Sequence, residues 1–225
     1  MKILVKMPSR GRPKQLIKAL SRAILNAENN NEIVYQLTLD VNDYSTNNDN
    51  FNEAIDLLRK SANIVVHRGI STGKINACNR DMHLANPDWD IVVLLSDDMM
   101  CENNGWDNMI RQEMKTLWPD TDGLLFFNDG FTQDRLNTLT IMGRKYFERF
   151  NYLYHPSYKS LWCDNELMDV GYILEKQVYN PMILFKHLHP ANTGEFADEL
   201  YQTNDTFYLQ DKRNFDKRKV FNFDL

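Results

Sequence analysis

Ile91-Val92-Val93-Leu94-Leu95-Ser96-Asp97-Asp98-Met99-Met100 is the stretch that decides how the rest of this chain is read. Its first five residues are an unbroken apolar run of strand length that does not alternate with polar ones, so the strand they predict is covered on both faces, as in a mostly parallel sheet between helices. Open α/β sheets bind ligands beyond the carboxyl ends of their strands. Asp97 and Asp98 stand at that end, and hard carboxylate oxygens suit Mg2+ or Mn2+, with substrate phosphates completing the ligand set. The competing reading of such a pair is a turn or a helix cap.

The residues upstream repeat one pattern. A strand over 2–7 is ended by Pro8 and followed by the turn Ser9-Arg10-Gly11-Arg12-Pro13, after which Leu16, Leu20, Ala23, Ile24 and Ala27 recur at helical spacing. A second strand over 33–40 closes on Asp40, Asn42 and Asp43, and Phe51, Ile55 and Leu58 mark the next helix. A short strand over 64–66 leads through residues 67–73 into a helix over 74–85. This alternation predicts a parallel sheet with right-handed crossovers. Downstream, helices are expected over 105–117, 144–150 and 164–170, strands over 123–128, 136–142 and 181–186, and a loop over 151–162. Residues beyond 196 are polar and charged, and are expected as a surface helix with a solvated face.

The totals narrow the function classes. At 225 residues the chain is long enough for a substantial core, and 43% hydrophobic with 25% charged residues is an ordinary globular balance. A net charge of -5 argues against a dedicated nucleic-acid binder, which needs a basic face. No apolar run reaches the roughly 20 residues that span a bilayer, and the first residues lack the apolar core of a signal peptide, so a cytoplasmic protein is expected. Cys78, Cys101 and Cys163 are widely spaced and form no CxxC pair, which suggests neither a disulfide framework nor a thiolate zinc site.

Several polar clusters fall at the same sheet edge as the Asp pair. Ser9, Arg10 and Arg12 follow strand one, and Asp40 and Asp43 follow strand two, where a carboxylate accepts from a base N–H or a ribose hydroxyl, or else shapes a turn. The loop Arg68-Gly69-Ile70-Ser71-Thr72-Gly73-Lys74 has three residues between its glycines and Ile75 after the lysine, so it is not a P-loop. Arg68 and Lys74 stand there either as phosphate or base contacts or as ordinary surface charges. No G-x-G-x-x-G follows strand one, which excludes a dinucleotide-binding fingerprint. Asp164 and Glu166 open a short helix, favoured there by the helix dipole or serving as general base for an acceptor hydroxyl. His187 and His189 flank one leucine after a late strand, and an imidazole joining Asp98 favours a transition metal.

Taken in order, these residues resemble the GT-A glycosyltransferases, in particular the large family 2 group, over residues 1–190. The resemblance is carried by Pro8-Ser9-Arg10 after strand one, Asp40 closing strand two, the segment from Gly73-Lys74 to Asn79-Arg80, Leu94-Leu95-Ser96-Asp97-Asp98 in the place of the DxD element, Cys163-Asp164-Asn165-Glu166-Leu167 in the place of ED-x-x-L, and a late histidine. It implies an α/β GT-A (Rossmann-like) fold, a mostly parallel sheet flanked by helices with a smaller acceptor-side region. Residues 1–195 would form one catalytic domain, with a nucleotide-binding half over 1–100 and an acceptor half over 101–195, followed by a charged tail over 196–225. The donor implied is a UDP- or GDP-sugar, with Mn2+ or Mg2+ bridging its diphosphate and an unidentified hydroxyl as acceptor. Asp40 would contact the base, Asp97 the ribose side and Asp98 the metal. His187 or His189 would be the further metal contact, and Asp164 the base of an inverting displacement.

The chain departs from the family pattern where Leu95 takes the place of the first acid of DxD and Cys163 that of the glutamate of ED. Two other readings remain open at this point. One is a sugar-nucleotidyltransferase, which calls for a glycine-rich basic loop after strand one. The other is a non-catalytic module that binds a nucleotide-sugar or carbohydrate.

Overall fold

The computed structural model describes residues 1–85, 88–194 and 198–225. Its first half is the expected alternation: β1 (Ile3–Ser9), α1 (Pro13–Asn26), β2 (Ile33–Asp40), α2 (Asp49–Leu58), β3 (Asn63–Gly69), α3 (Lys74–Asn79) and β4 (Ile91–Leu94). There follow β5 (Met99–Cys101), α4 (Trp106–Leu117), β6 (Leu124–Phe127), β7 (Ile141–Gly143), α5 (Arg144–Phe150), α6 (Cys163–Ile173), β8 (Gln177–Asn180) and β9 (Phe185–His187). The chain ends in α7 (Pro190–Thr193), α8 (Glu199–Asp205) and α9 (Tyr208–Val220).

The main sheet has seven strands in the order β3-β2-β1-β4-β7-β6-β8, and β5 pairs separately with β9. Strands β1 to β4 are mutually parallel, and β7 is the antiparallel strand, lying between β4 and β6. The unbroken apolar run explains the layering. Ile91, Val93 and Leu95 enter a core with α1, α2 and α4, where Leu16, Leu20, Phe51, Ile55, Trp106 and Ile110 are buried. Val92 and Leu94 point the other way, into a core built from Ile75, Tyr146, Leu167, Val170 and Phe215 of α3, α5, α6 and α9. Period-two alternation of side chains thus divides one strand between two cores.

Four expectations are corrected by the structure. Pro8 does not end β1, which continues to Ser9 opposite Leu39. Lys6 faces β4, since its carbonyl accepts from Leu95 N at 2.9 Å, and Pro8 shares that side. The β4 pairing ends at Leu94, so the missing N–H of Pro8 leaves no ladder bond unmade. The third strand extends past Val66, because His67, Arg68 and Gly69 pair with Thr38, Leu39 and Asp40. The third helix stops at Asn79 instead of Ala85. There Arg80 turns to donate to Leu39 O at 2.8 Å, and Asp81 adopts a left-handed conformation while its carbonyl accepts from Gln36 at 2.7 Å. Of the late strands, the one expected over 136–142 is confined to Ile141–Gly143 and the one over 181–186 to Phe185–His187, while β5 and β8 arise where none was expected.

The C-terminal charge run forms a helix, and its inner side is not solvated. Asp211 is fully buried and accepts from the backbone N–H groups of Lys159, Ser160 and Leu161 at 3.0, 2.8 and 2.8 Å. Phe215 joins the second core, and Arg218 grips both carboxylate oxygens of Glu166 at 2.7 and 3.0 Å. The expected boundary between residues 195 and 196 lies outside the described residues. Asp211→Ala would leave three backbone donors without their acceptor, and we expect it to cost about 3 kcal/mol in urea unfolding. Asp216→Ala, which removes only the exposed partner of Lys212 on the same helix, should cost within about 0.5 kcal/mol. Similar losses in the two variants would contradict this role for Asp211.

Candidate functional site

The carboxyl ends of β1, β2 and β4 bring Ser9, Asp40, Asp97 and Asp98 to one rim, because parallel strands in register end side by side. Asp98 follows β4 in a turn whose next residues form β5. The antiparallel register of β5 with β9 sets Met99 opposite His187, and Leu188 N donates to Asp98 O at 2.8 Å. His187 Nε2 consequently lies 3.4 Å from Asp98 Oδ2. On its far side, His187 Nδ1 is 3.8 Å from Oδ2 of Asp129, a carboxylate just beyond β6 that is 1% exposed.

This row of carboxylate, imidazole and carboxylate fixes its own charges. Burial opposes a charge on His187, but Asp129 and Asp98 outweigh it and raise its pKa from 6.5 to about 9. Burial also opposes the charge on Asp98, yet His187, Ser96 and the Tyr201 hydroxyl hold it well below the usual carboxylate range. Asp97 behaves differently. Burial, with Asp98 adding to it, pushes its pKa up to about 6 against the pull of Ser9 and Arg12. Ser9 Oγ donates to Asp97 at 2.5 Å, and Arg12 lies at 3.2 Å.

The other sequence-predicted residues divide into those that face the rim and those that build it. Asp40 accepts from Arg10 at 2.5 Å, Ser71 N at 3.0 Å and Arg80 at 3.3 Å, so both of its oxygens are engaged. Asp43 accepts from Gly11 N at 2.8 Å and from Ser45 and Thr46, and shapes the loop between β2 and α2. Burial raises the Asp43 pKa, but these hydrogen bonds outweigh it and leave it lowered. Arg68 donates to Thr46 O at 2.8 Å and Asn52 at 3.0 Å, away from the Asp pair, so it braces that loop. Pro8 is part of β1, and its side chain carries no polar group.

Lys74, the first residue of α3, is exposed and has no hydrogen-bond or ion-pair partner among the described residues. Its charge acts on Asp164, whose carboxyl is pushed up by burial and pulled down by Lys74 and, more weakly, by His187. Asp164, Lys74 and the Asp98–His187 pair therefore form one electrostatic neighbourhood. Glu166 lies apart from it, buried between Arg218 and the Tyr158 hydroxyl, which donates at 2.7 Å. His189 caps α7, its Nδ1 accepting from Ala191 N at 3.2 Å, and its ring lies against Tyr201.

A strap formed by α8 and the residue before it closes the rim from above. Asp198 takes both ends of the Arg12 guanidinium at 2.8 and 2.6 Å, and the Tyr201 hydroxyl donates to Asp98 Oδ2 at 2.5 Å. The Tyr201 ring also lies 3.8 Å from the Arg12 guanidinium carbon. Sequence reasoning missed Asp129, Asp198 and Tyr201. Asn128-Asp129-Gly130 is a turn signal after a strand and marks a sheet end, whereas nothing in the polar stretch around Tyr201 singles that residue out.

Among the described residues no group of three or more His, Cys, Asp or Glu forms a closed metal cage. The donor set that does converge, one carboxylate and one imidazole, fits a hard or borderline cation that takes its remaining ligands from substrate oxygens and water.

No family model matches the chain, and no curated protein matches it. Solved structures do share its fold. The mannosyltransferase PcManGT from Pyrobaculum calidifontis, in complex with GDP-Man and Mn2+, superposes with a TM-score of 0.63 at 12% identity, covering 83% of this chain and 56% of that one. TarS 1-349 from S. aureus in complex with UDP-GlcNAc gives 0.66 at 12% identity, covering 89% and 61%. The same protein in complex with UDP gives 0.65 at 13% identity, covering 86% and 62%. The chain thus has the GT-A-like fold seen in glycosyltransferases, and it spans less than two thirds of the length of those chains. No helix of the described residues is long and apolar enough to cross a membrane.

The ion row predicts a pH signature for the metal-free protein. A folded pKa of about 9 against 6.5 means that His187 contributes stability fully below about 6.5, and that this is lost as pH rises through 9. We expect wild type to exceed His187→Gln by roughly 2–4 kcal/mol at pH 6 in urea unfolding, with the gap closing by pH 10. A gap that does not change with pH would contradict the row.

Proposed function

We propose that this protein is a metal-dependent glycosyltransferase that moves a sugar from a nucleoside-diphosphate sugar to an acceptor hydroxyl, with inversion at the anomeric carbon. The observation that carries the reading is the convergence of Asp98 Oδ2 and His187 Nε2, 3.4 Å apart, at the rim of a GT-A-like sheet. The complexes of PcManGT with GDP-Man and Mn2+ and of TarS with UDP-GlcNAc support a nucleotide-sugar donor and a divalent cation at this fold.

In this reading Asp98 and His187 would hold Mn2+ or Mg2+, which would supply counter-charge to a leaving diphosphate. Lys74, which has no hydrogen-bond or ion-pair partner among the described residues, meets the same developing negative charge. Asp40, fixed by Arg10, Arg80 and Ser71 N, faces the nucleobase, and Asp97 with Ser9 faces the ribose side. Asp164 takes the proton of the acceptor hydroxyl as that oxygen forms its bond to the anomeric carbon and the bond to the diphosphate oxygen breaks. A carboxyl pKa raised by burial makes it a stronger base than a free surface aspartate. Glu166, tied on both oxygens to Arg218 and Tyr158, serves as an anchor for α6 and takes no part in the chemistry.

Two further features bear on this reading. The Tyr201 hydroxyl occupies Asp98 Oδ2, the oxygen that a cation held by Asp98 and His187 would share with it. A nucleotidyltransferase would need the basic loop after β1 to be free for phosphate. Here Arg10 is held by Asp40 and Asn42, and Arg12 by Asp97 and Asp198, which favours glycosyl transfer.

Calorimetric titration of UDP and GDP with and without Mn2+ tests the site. At least one nucleotide should bind at least tenfold more tightly with Mn2+, and Asp98→Ala should abolish that gain; equal affinity in both conditions sinks the metal assignment. Asp164→Asn should keep the binding while losing at least a hundredfold in the rate of donor-sugar turnover to acceptor or water. An unchanged rate would remove Asp164 from the mechanism.

A further inference from the structure

We infer that Asp129 is a positioning residue that selects which nitrogen of His187 faces the cation, an assignment that rests on the metal site proposed above. Three hydrogen bonds fix the Asp129 carboxylate: Phe131 N at 2.9 Å and Thr132 N at 2.6 Å on one oxygen, and Thr138 Oγ1 at 2.9 Å on the other. Its own carbonyl accepts from His187 N at 2.9 Å, which ties the residue to β9 directly. Gly130, at φ +87°, makes the turn that folds Phe131 and Thr132 back over the carboxylate. The group is therefore held rigidly, and it is almost wholly out of water.

The ring of His187 meets this fixed carboxylate with a buried nitrogen that has no hydrogen-bond partner among the described residues. At 3.8 Å the Nδ1 to Oδ2 separation exceeds hydrogen-bond length, and a shift of about 1 Å closes it. A neutral imidazole carries one N–H. With that proton on Nδ1 it points at Asp129, and the lone pair on Nε2 points at Asp98 and the cation. The opposite tautomer would set a lone pair against the carboxylate and an N–H where the metal must bind. Asp129 thus selects the ligating tautomer and orients the ring, as carboxylates behind metal-bound histidines do. The loop after β6 becomes a functional part of a site whose direct ligands lie on the loop after β4 and on β9.

Asp129→Asn keeps the size and the acceptor for Phe131 and Thr132, but its amide can donate to Nδ1 and so favours the proton on Nε2. Calorimetry with Mn2+ should show 10- to 100-fold weaker binding than wild type, with the circular dichroism spectrum unchanged. Thr138→Val, which removes one hydrogen bond from the same carboxylate without altering its charge, should change Mn2+ affinity less than about threefold. Long-range 1H–15N spectra of His187 in the Mg2+-loaded protein should report Nδ1–H in wild type and Nε2–H in Asp129→Asn.

Mn2+ affinity of Asp129→Asn within threefold of wild type, or the same tautomer in both proteins, overturns the assignment. If wild type itself binds no Mn2+, the metal site fails, and the tautomer of metal-free Asp98→Ala at pH 10, in which the carboxylate facing Nε2 is gone, decides Asp129 separately: Nδ1–H supports its role and Nε2–H overturns it. That Asp98→Ala spectrum also settles the matter if Asp129→Asn does not fold.

Discussion

Three residue pairs of antiparallel backbone, β5 against β9, hold this site together. The parallel half of the sheet delivers Asp98 to a rim, but a single carboxylate at a strand end is as consistent with a turn as with chemistry. The pairing of Met99 with His187 adds a second group, an imidazole brought from almost ninety residues downstream to within 3.4 Å of Asp98. Once there, the imidazole is set between two carboxylates, and each charge in the row stabilises the next. The same bonds that fix the fold at this edge also fix the direction in which Asp98 and His187 face.

The C-terminal third acts on the site by two different routes. Helix α9 works from behind: Asp211 gathers the backbone of residues 159–161, and Arg218 anchors Glu166, so the first turn of α6, which carries Asp164, is held in place. Helix α8 works from in front, with Tyr201 on Asp98 and Asp198 on Arg12. Both contacts give the rim's charged groups internal partners in place of water. A carboxylate and a guanidinium that would otherwise face solvent are satisfied by the chain itself.

The fold was legible in the sequence wherever local pattern and tertiary need agreed. The unbroken run from Ile91 to Leu95, the Pro-initiated α1 and the strand closing on Asp40 carry their signals within a few residues. The reading failed where a longer-range contact overrode local grammar. Pro8 continues a strand because the neighbouring strand has already ended, and the helix begun at Lys74 breaks at Arg80 because β2 offers Arg80 and Asp81 better partners. Short β5 and β8 have no pattern of their own and exist only through the strands they meet.

At the site, the residue types were readable and their division of labour was not. The Asp pair and His187 lie together at the rim and Asp164 feels their charge, but Arg68 braces a loop and Glu166 is locked by Arg218, a partner hidden in a charge run that has the composition of a solvated face. Asp129 and Tyr201 depend on spatial neighbours that lie far away in the chain, so no local spacing announces them.

If Asp98 and His187 jointly hold a divalent cation against a nucleoside diphosphate, a crystal structure grown with Mn2+ and UDP or GDP should show a single metal ion roughly 2.0–2.3 Å from an Asp98 carboxylate oxygen and from His187 Nε2, completed by diphosphate oxygens, with the Tyr201 hydroxyl moved off Asp98. A nucleotide bound at the rim without metal, or with metal that leaves His187 uncoordinated, would contradict it.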